Sequence, residues 1–245
     1  LRHHVLSHAP RPFLASYKLT YRCNLRCLQC PFYTLESPDP TFEQVLATLD
    51  ALQRRGSRLV VFEGGEPLLW QDGNHTIHHV IAEAKRRFFS VGITTNGTLP
   101  LDVNPDVLWV SLDGLHAHIT INNQNHREVI PLIQFLRGLV RGVTIQFYYP
   151  YNRADALFLD FDSRERLLDE LIALKRQGYP ILNSDSALRA LKRNTWRCVD
   201  SLLDCADPDG SLRQGCYLRG RSDIDCPRCG FSPHTEISLA VRGDL

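Results

Sequence analysis

The stretch ASYKLTYRCNLRCLQC, residues 15–30, decides the architecture, because a strand-like run passes directly into a loop carrying three cysteines. Residues 15–22 alternate weakly between apolar and polar, the pattern of a half-buried strand. Pro38 and Pro40 close the loop behind the cysteines. Thr41-Phe42-Glu43-Gln44 then has the Thr-x-x-Gln form of a capping box, with Val45, Leu46, Leu49 and Leu52 at helical spacing and Gly56 as a stop. Arg58–Glu63 (RLVVFE) reads as a second strand, followed by a helix around His75–Phe88. Ser90–Thr95 (SVGITT), Val107–Leu112 (VLWVSL), Ala117–Asn122 and Val143–Tyr149 read as further strands. Helices fit Arg127–Leu136 and Arg164–Arg176, with Gly138 and Gly178 as stops.

Strands alternating with helices predict a parallel sheet of βα units. The polar and glycine-rich signatures lie just after strands: the cysteines, Gly64-Gly65-Glu66-Pro67, Thr95-Asn96-Gly97, Asp113-Gly114 and Asn122-Asn123. Loops after the strands form the reactive face of a β/α barrel. The expectation is therefore an α/β fold, a partial (β/α) TIM-like barrel over residues 1–190. Beyond about residue 190, Cys, Gly, Pro, Asp and Arg dominate and no long apolar period survives. A stretch so poor in core formers usually needs a metal to fold. Residues 191–245 are thus expected to be a small metal-cluster appendage.

Composition is that of a soluble globular protein, with 43% hydrophobic and 22% charged residues. A net charge of +1 argues against a nucleic-acid surface, and no apolar run is long enough to span a membrane. The opening LRHHVLSHAPRPF lacks the apolar core of a secretory signal, so a cytoplasmic setting is expected. Eight cysteines there suggest metal ligation or redox chemistry rather than disulfides. Three fall at 23–30 and five at 198–229, which fits two metal sites.

Cys23, Cys27 and Cys30 offer three thiolates in one loop. Iron–sulfur clusters usually take four protein ligands, so three imply one iron left open for binding and reaction. The alternative is a structural zinc loop completed by a distant His or Cys. After the second strand, Gly64 and Gly65 let the backbone approach a ligand closely, and Glu66 can accept hydrogen bonds from an ammonium group. Taken alone, Gly-Gly-Glu-Pro is only a turn. Thr94, Thr95 and Asn96 end the third strand, and Ser111 and Asp113 the fourth; ordinary turn chemistry explains these equally well. Gln146, Tyr148 and Tyr149 either line a substrate cavity or belong to the core. His75, His78 and His79 read as a polar helix face, and His234 and Glu236 as surface residues.

CNLRCLQC resembles the CxxxCxxC cluster motif of the radical S-adenosylmethionine (SAM) superfamily, and Gly64–Pro67 resembles its GGEP motif. The resemblance covers roughly residues 15–150. It departs at Gln29, where the superfamily often has an aromatic residue; Phe32 and Tyr33 could shield the cluster instead. The resemblance implies that Cys23, Cys27 and Cys30 hold a [4Fe–4S] cluster whose open iron takes SAM. It further implies that Gly64, Gly65, Glu66 and Pro67 hold the SAM amino group, and that Thr95, Asn96, Ser111 and Asp113 contact its carboxylate and ribose. The implied activity is reductive cleavage of SAM to a 5′-deoxyadenosyl radical, which abstracts hydrogen from a substrate.

In the tail, Asp209-Gly210, Cys216 and Cys226-Pro-Arg-Cys229 resemble the SPASM and twitch appendages of that superfamily, which bind an auxiliary [4Fe–4S] cluster. The ligands so implied are Cys198, Cys216, Cys226 and Cys229, with Cys205 spare; a four-cysteine zinc ribbon is the alternative. A small molecule or lipid is favoured over a peptide as substrate, with flavodoxin or ferredoxin as electron donor. The rival reading of the whole chain is a non-enzymatic iron–sulfur or zinc protein acting as electron carrier or scaffold. That reading leaves the GGEP segment without a purpose.

Overall fold

Strand β1, Leu14–Thr20, lies at the centre of the first of two units into which the computed structural model divides. The structure describes residues 11–27, 30–111, 116–150, 155–218 and 225–244. The first unit comprises residues 1–111 and 200–217, the second 112–199 and 218–245.

After the cysteine loop the chain enters α1, Phe42–Arg55, through the expected capping box. Gln44 N donates to Thr41 Oγ1 at 3.2 Å, and Thr41 N to Gln44 Oε1 at 2.8 Å. Strand β2, Leu59–Gly64, then pairs in parallel with β1. A small antiparallel ribbon, β3 (Gln71–Asp72) with β4 (His75–Thr76), leads into α2, Ile77–Lys85. Strands β5, Ser90–Thr95, and β6, Val107–Val110, extend the parallel sheet outward from β2.

The two faces of this sheet differ in kind. Ala15, Tyr17 and Leu19 of β1, Val60 and Phe62 of β2, and Val91 and Ile93 of β5 pack against Val45, Leu49 and Leu52 of α1 and Val80 and Ile81 of α2. Because side chains alternate along a strand, Ser16, Lys18, Thr20 and Glu63 lie on the opposite face. Parallel strands usually read as continuous apolar runs. These alternate, so one face is reserved for polar groups.

Residues 191–245 are shared between the units. In the second unit, β7 (His116–Ile121) pairs in parallel with β8 (Gly142–Phe147), with α3 (Val129–Leu136) between them in sequence. Helices α4 (Phe161–Arg176) and α5 (Asp185–Arg193) follow. The core here is Ala117, Ile119, Ile121, Val143, Ile145 and Phe147 against Ile133, Leu168, Leu171 and Leu188. In the first unit, β9, Leu203–Ala206, pairs in parallel with β1, and β10, Leu212–Gln214, pairs antiparallel with β9. All four residues of β9 are buried, including Asp204, which accepts both Nε and Nη2 of Arg55 at 2.7 Å. Helix α6, Ser232–Arg242, belongs to the second unit and packs on α5.

Candidate active site and cysteine-rich tail

The loops that follow β1, β2 and β5 are joined by one hydrogen-bond network. Gly65 N donates to Thr20 O and Glu66 N to Arg22 O, both at 2.8 Å, docking the end of β2 on the entry to the cysteine loop. The glycines are required by contact as well as by conformation. Gly64 has φ +122°, and a Cβ there would meet Thr20 O at 2.5 Å; at Gly65 it would meet Arg22 O at 2.1 Å. Pro67, buried, opens the short turn that follows.

The Glu66 side chain is fully buried, and its carboxylate accepts from Leu68 N at 3.1 Å, Thr95 Oγ1 at 2.8 Å and Asn96 N at 2.7 Å. Asn96 continues the path, its Nδ2 donating to Asn24 Oδ1 at 2.8 Å and to Cys23 Sγ at 3.7 Å. Glu66, Thr95, Asn96 and Cys23, expected from far-apart motifs, therefore meet. Ser111 is exposed and donates its N–H to Thr95 O at 2.8 Å. Asp113 lies outside the described residues.

Cys27 is exposed, and Cys23 and Cys30 are half-buried. Leu25 N donates to Cys23 Sγ at 3.5 Å. Burial pushes the Cys30 thiol pKa up, opposed by the amides of Phe32 and Tyr33, and the nearby Cys27 and Cys23 push it further. Three soft sulfur donors, with backbone N–H groups turned towards Cys23 and Cys30, suit an iron–sulfur cluster, whose potential such hydrogen bonds tune. A cleft of about 740 Å³ opens beside the loop, with Cys23, Asn24, Arg26 and Tyr33 in its wall.

Lys18 is a residue the sequence reading passed over. It is 1% exposed on the polar face, its Nζ donating to Ser16 Oγ at 2.5 Å and to Glu63 Oε1 at 3.0 Å. Ser16 also donates to Glu63. Burial disfavours the ammonium, but Glu63, helped by Cys205 and Asp207, more than offsets this and raises the pKa. The same Nζ lies 5.9 Å from the Phe32 ring centre and 5.0 Å from that of Tyr217. The available signal was a lysine at an alternating position of a strand that runs into the cysteines.

The tail cysteines are distributed between the units. Cys205 and Cys216 belong to the first, and Cys198, Cys226 and Cys229 to the second. Among the described residues no three His, Cys, Asp or Glu side chains are preassembled at metal-ligating distance, in the loop or in the tail. Cys216 N donates to Asp200 Oδ2 at 3.2 Å, and Cys205 is buried with its Sγ donating to Gly215 O at 3.4 Å. Cys226 and Cys229 form a tight turn, closed by Cys229 N to Cys226 O at 3.0 Å. Asn194 Nδ2 donates to Pro227 O at 2.5 Å and Cys229 O at 2.6 Å. His234, expected at the surface, places Nδ1 4.0 Å from Cys198 Sγ, and Glu236 Oε1 accepts from Ser184 N. Beneath the turn lies Arg164, whose guanidinium pKa burial pushes down to about 10.

Other residues are placed in structural roles. Tyr148 and Tyr149 are buried; Tyr148 Oη donates to Asp155, and Tyr149 Oη accepts from Asp225 N. Gln146 Nε2 donates to Thr120 Oγ1 at 3.1 Å on the face away from the core. His75 stacks on Phe42, and His79 Nδ1 accepts from Thr76 N to cap α2.

Comparison with known proteins agrees with this geometry. The Radical SAM superfamily matches residues 17–155, more than half of the chain. The antilisterial bacteriocin subtilosin biosynthesis protein AlbA of Bacillus subtilis is 34% identical over 120 residues, covering 47% of this chain and 25% of that protein. The Fe-coproporphyrin III synthase of Methanosarcina barkeri is 32% identical over 214 residues, covering 77% and 50% respectively. The chain thus spans half or less of the length of these two relatives. Streptococcus suis SuiB, solved bound to S-adenosylmethionine, superimposes with a TM-score of 0.68 over 95% of this chain and 65% of its own at 13% identity, which establishes the shared partial-barrel α/β fold. Among the described residues no helix is long and apolar enough to cross a membrane. With the cysteine loop, the Gly64–Pro67 segment and the strand-end network all in the matched region, the chain belongs to the radical SAM superfamily.

Proposed function

We propose that this chain binds a [4Fe–4S] cluster and SAM on the loops after β1, β2 and β5, and abstracts hydrogen from a small-molecule or lipid substrate. The observation that carries the reading is the path Gly65–Glu66–Thr95–Asn96–Cys23, which ties the cluster loop to the strand ends by hydrogen bonds. Cys23, Cys27 and Cys30 would hold the cluster, leaving one iron for the SAM amino and carboxylate groups. Bound there, the cluster supplies the electron that splits a carbon–sulfur bond of SAM, yielding methionine and a 5′-deoxyadenosyl radical. A carboxylate has about four acceptor sites, and Glu66 uses three within the protein. The remaining site is assigned to an N–H of the SAM amino group, with Gly64, Gly65 and Pro67 shaping the approach. Thr95, Asn96, Ser111 and Asp113 are assigned to the carboxylate and ribose.

The tail is assigned a second [4Fe–4S] cluster. Cys198, Cys226 and Cys229 are its ligands in the second unit, and Cys216 is the sequence-expected fourth. The approach of His234 Nδ1 to Cys198 Sγ makes that imidazole a rival for the fourth position. A flavodoxin or ferredoxin in a cytoplasmic setting would supply the electron.

The test is anaerobic reconstitution with iron and sulfide counting and SAM titration. About eight irons per chain and a spectral change on adding SAM are expected. Zinc in place of iron, with no response to SAM, would instead favour the scaffold reading.

A further inference from the structure

Arg164 stands in the first turn of α4 with none of its surface exposed. Its Cζ lies 4.3 Å from the Phe147 ring centre, 5.3 Å from that of Phe158 and 5.2 Å from that of Phe161. Rings attract a cation through their faces but accept little from its in-plane N–H groups. Among the described residues Nε and Nη2 have no hydrogen-bond partner, and Nη1 makes a single long contact, 3.4 Å, to the carbonyl of Cys229. Asp160 attracts the guanidinium from the helix N-cap, but its Oδ1 accepts from Ser163 N. A buried arginine with two idle donors and no bonded carboxylate is costly unless an opposite charge comes to it.

Besides Asp160, the ionisable group that attracts it among the described residues is Cys229, in the Cys226–Cys229 turn whose carbonyl Nη1 contacts. That turn is also held by Asn194, the left-handed C-cap of α5 at φ +51°, whose side chain donates to the Pro227 and Cys229 carbonyls. The Arg228 guanidinium lies 3.8 Å from the centre of the Phe158 ring that Arg164 also contacts, so two cations share one ring beside the turn.

We infer that Arg164 is the internal counter-ion of the metal–thiolate centre held by Cys226 and Cys229. The inference rests on the assignment of a second cluster to the tail. A cluster on thiolate ligands is net anionic, and each added electron makes it more so. A fixed positive charge close to such a cluster would both help to retain it and raise its reduction potential. Arg164 is thus a positioning and tuning residue for that centre.

The experiment compares wild type, Arg164→Met and Arg164→Lys after anaerobic reconstitution. It reads iron and sulfide per chain, iron release to a chelator, EPR-monitored midpoint potentials, and melting of the metal-free protein. Removing an idle buried charge should leave the metal-free Met variant melting no lower than wild type. That variant should nevertheless hold about four irons instead of about eight, or release the second set at least roughly tenfold faster. Any second-cluster signal it retains should titrate at a more negative potential, with the SAM-site signal unmoved as the internal control. Arg164→Lys should restore most of the iron. Wild-type iron retention and potential in Arg164→Met would overturn the inference. So would parallel loss of iron and metal-free melting temperature in both variants, since that marks a packing role. A wild type holding only about four irons, all lost on replacing Cys23, Cys27 and Cys30, would show separately that the second-cluster assignment itself is wrong, and the inference would fall with it.

Discussion

The two cysteine regions are held in opposite ways. The loop of Cys23, Cys27 and Cys30 is fixed by backbone: Gly65 N and Glu66 N dock on Thr20 O and Arg22 O, and Asn96 reaches Cys23 from the next strand over. The Cys226–Cys229 turn is held mainly by side chains, Asn194 on its carbonyls and Arg164 below. The loop is thus anchored to the parallel strands by main-chain hydrogen bonds. The turn instead leans on a buried cation with two idle donors among the described residues.

The largest expected effect separates these sites directly. Replacing Cys23, Cys27 and Cys30 together by Ala should abolish SAM cleavage while the iron of the tail remains, as read by deoxyadenosine formation and an iron count. Cleavage at the wild-type rate would remove the assignment of the loop. Next comes the backbone docking. In Gly65→Ala the new methyl meets the Arg22 carbonyl, which no side-chain rotation can relieve. Overpacking of this kind costs about 1–3 kcal/mol or more, and here it should also displace Glu66, so lower thermal stability and weaker SAM binding should appear together. If SAM affinity survives while stability falls, the docking shapes the fold but not the site.

How much of this was legible follows from where the partners lie in sequence. Strands β1, β2 and β5, the Thr41–Gln44 cap and the functional loops are local patterns, and each is visible in a dozen residues. Strand β9 was hidden because Asp204 makes LDCA look polar, and its partner Arg55 is far away in the chain. Lys18 and Arg164 were invisible for the same reason. Lysine in a strand and arginine in an amphipathic helix normally face water, and only the packed structure shows them closed in by Phe32 and Tyr217, or by Phe147, Phe158 and Phe161. Tyr149 was open between cavity and core, and the stacking of Phe231 on it places it in the core.

Glu66→Gln tests the first region more finely. The amide keeps the shape but offers one oxygen where Thr95 Oγ1, Asn96 N and Leu68 N now share two. Loss of a hydrogen bond to a charged group is worth about 1.5–3 kcal/mol, or roughly ten- to a hundredfold in SAM affinity by calorimetry. Unchanged affinity would mean that Glu66 serves only to brace β2 against β5.

The smallest effect is expected at Cys205, set against Cys226. Both are tail cysteines, but their surroundings differ. Cys226 is exposed, whereas Cys205 is buried in β9 opposite Ser16 and donates a hydrogen bond to Gly215 O. Burial pushes the Cys205 thiol pKa up, against the pull of Lys18, so at neutral pH it stays protonated, and a protonated thiol is a poor metal ligand. Cys205→Ala should therefore leave iron content unchanged and cost only about 1 kcal/mol for the atoms removed from the core. Cys226→Ala should lose about one cluster and expose the segment around it to limited proteolysis. The comparison inverts if Cys205→Ala loses iron and Cys226→Ala keeps it. In that case the second centre lies on the first unit's sheet rather than beside Arg164, and both the ligand set and the counter-ion assignment would move with it.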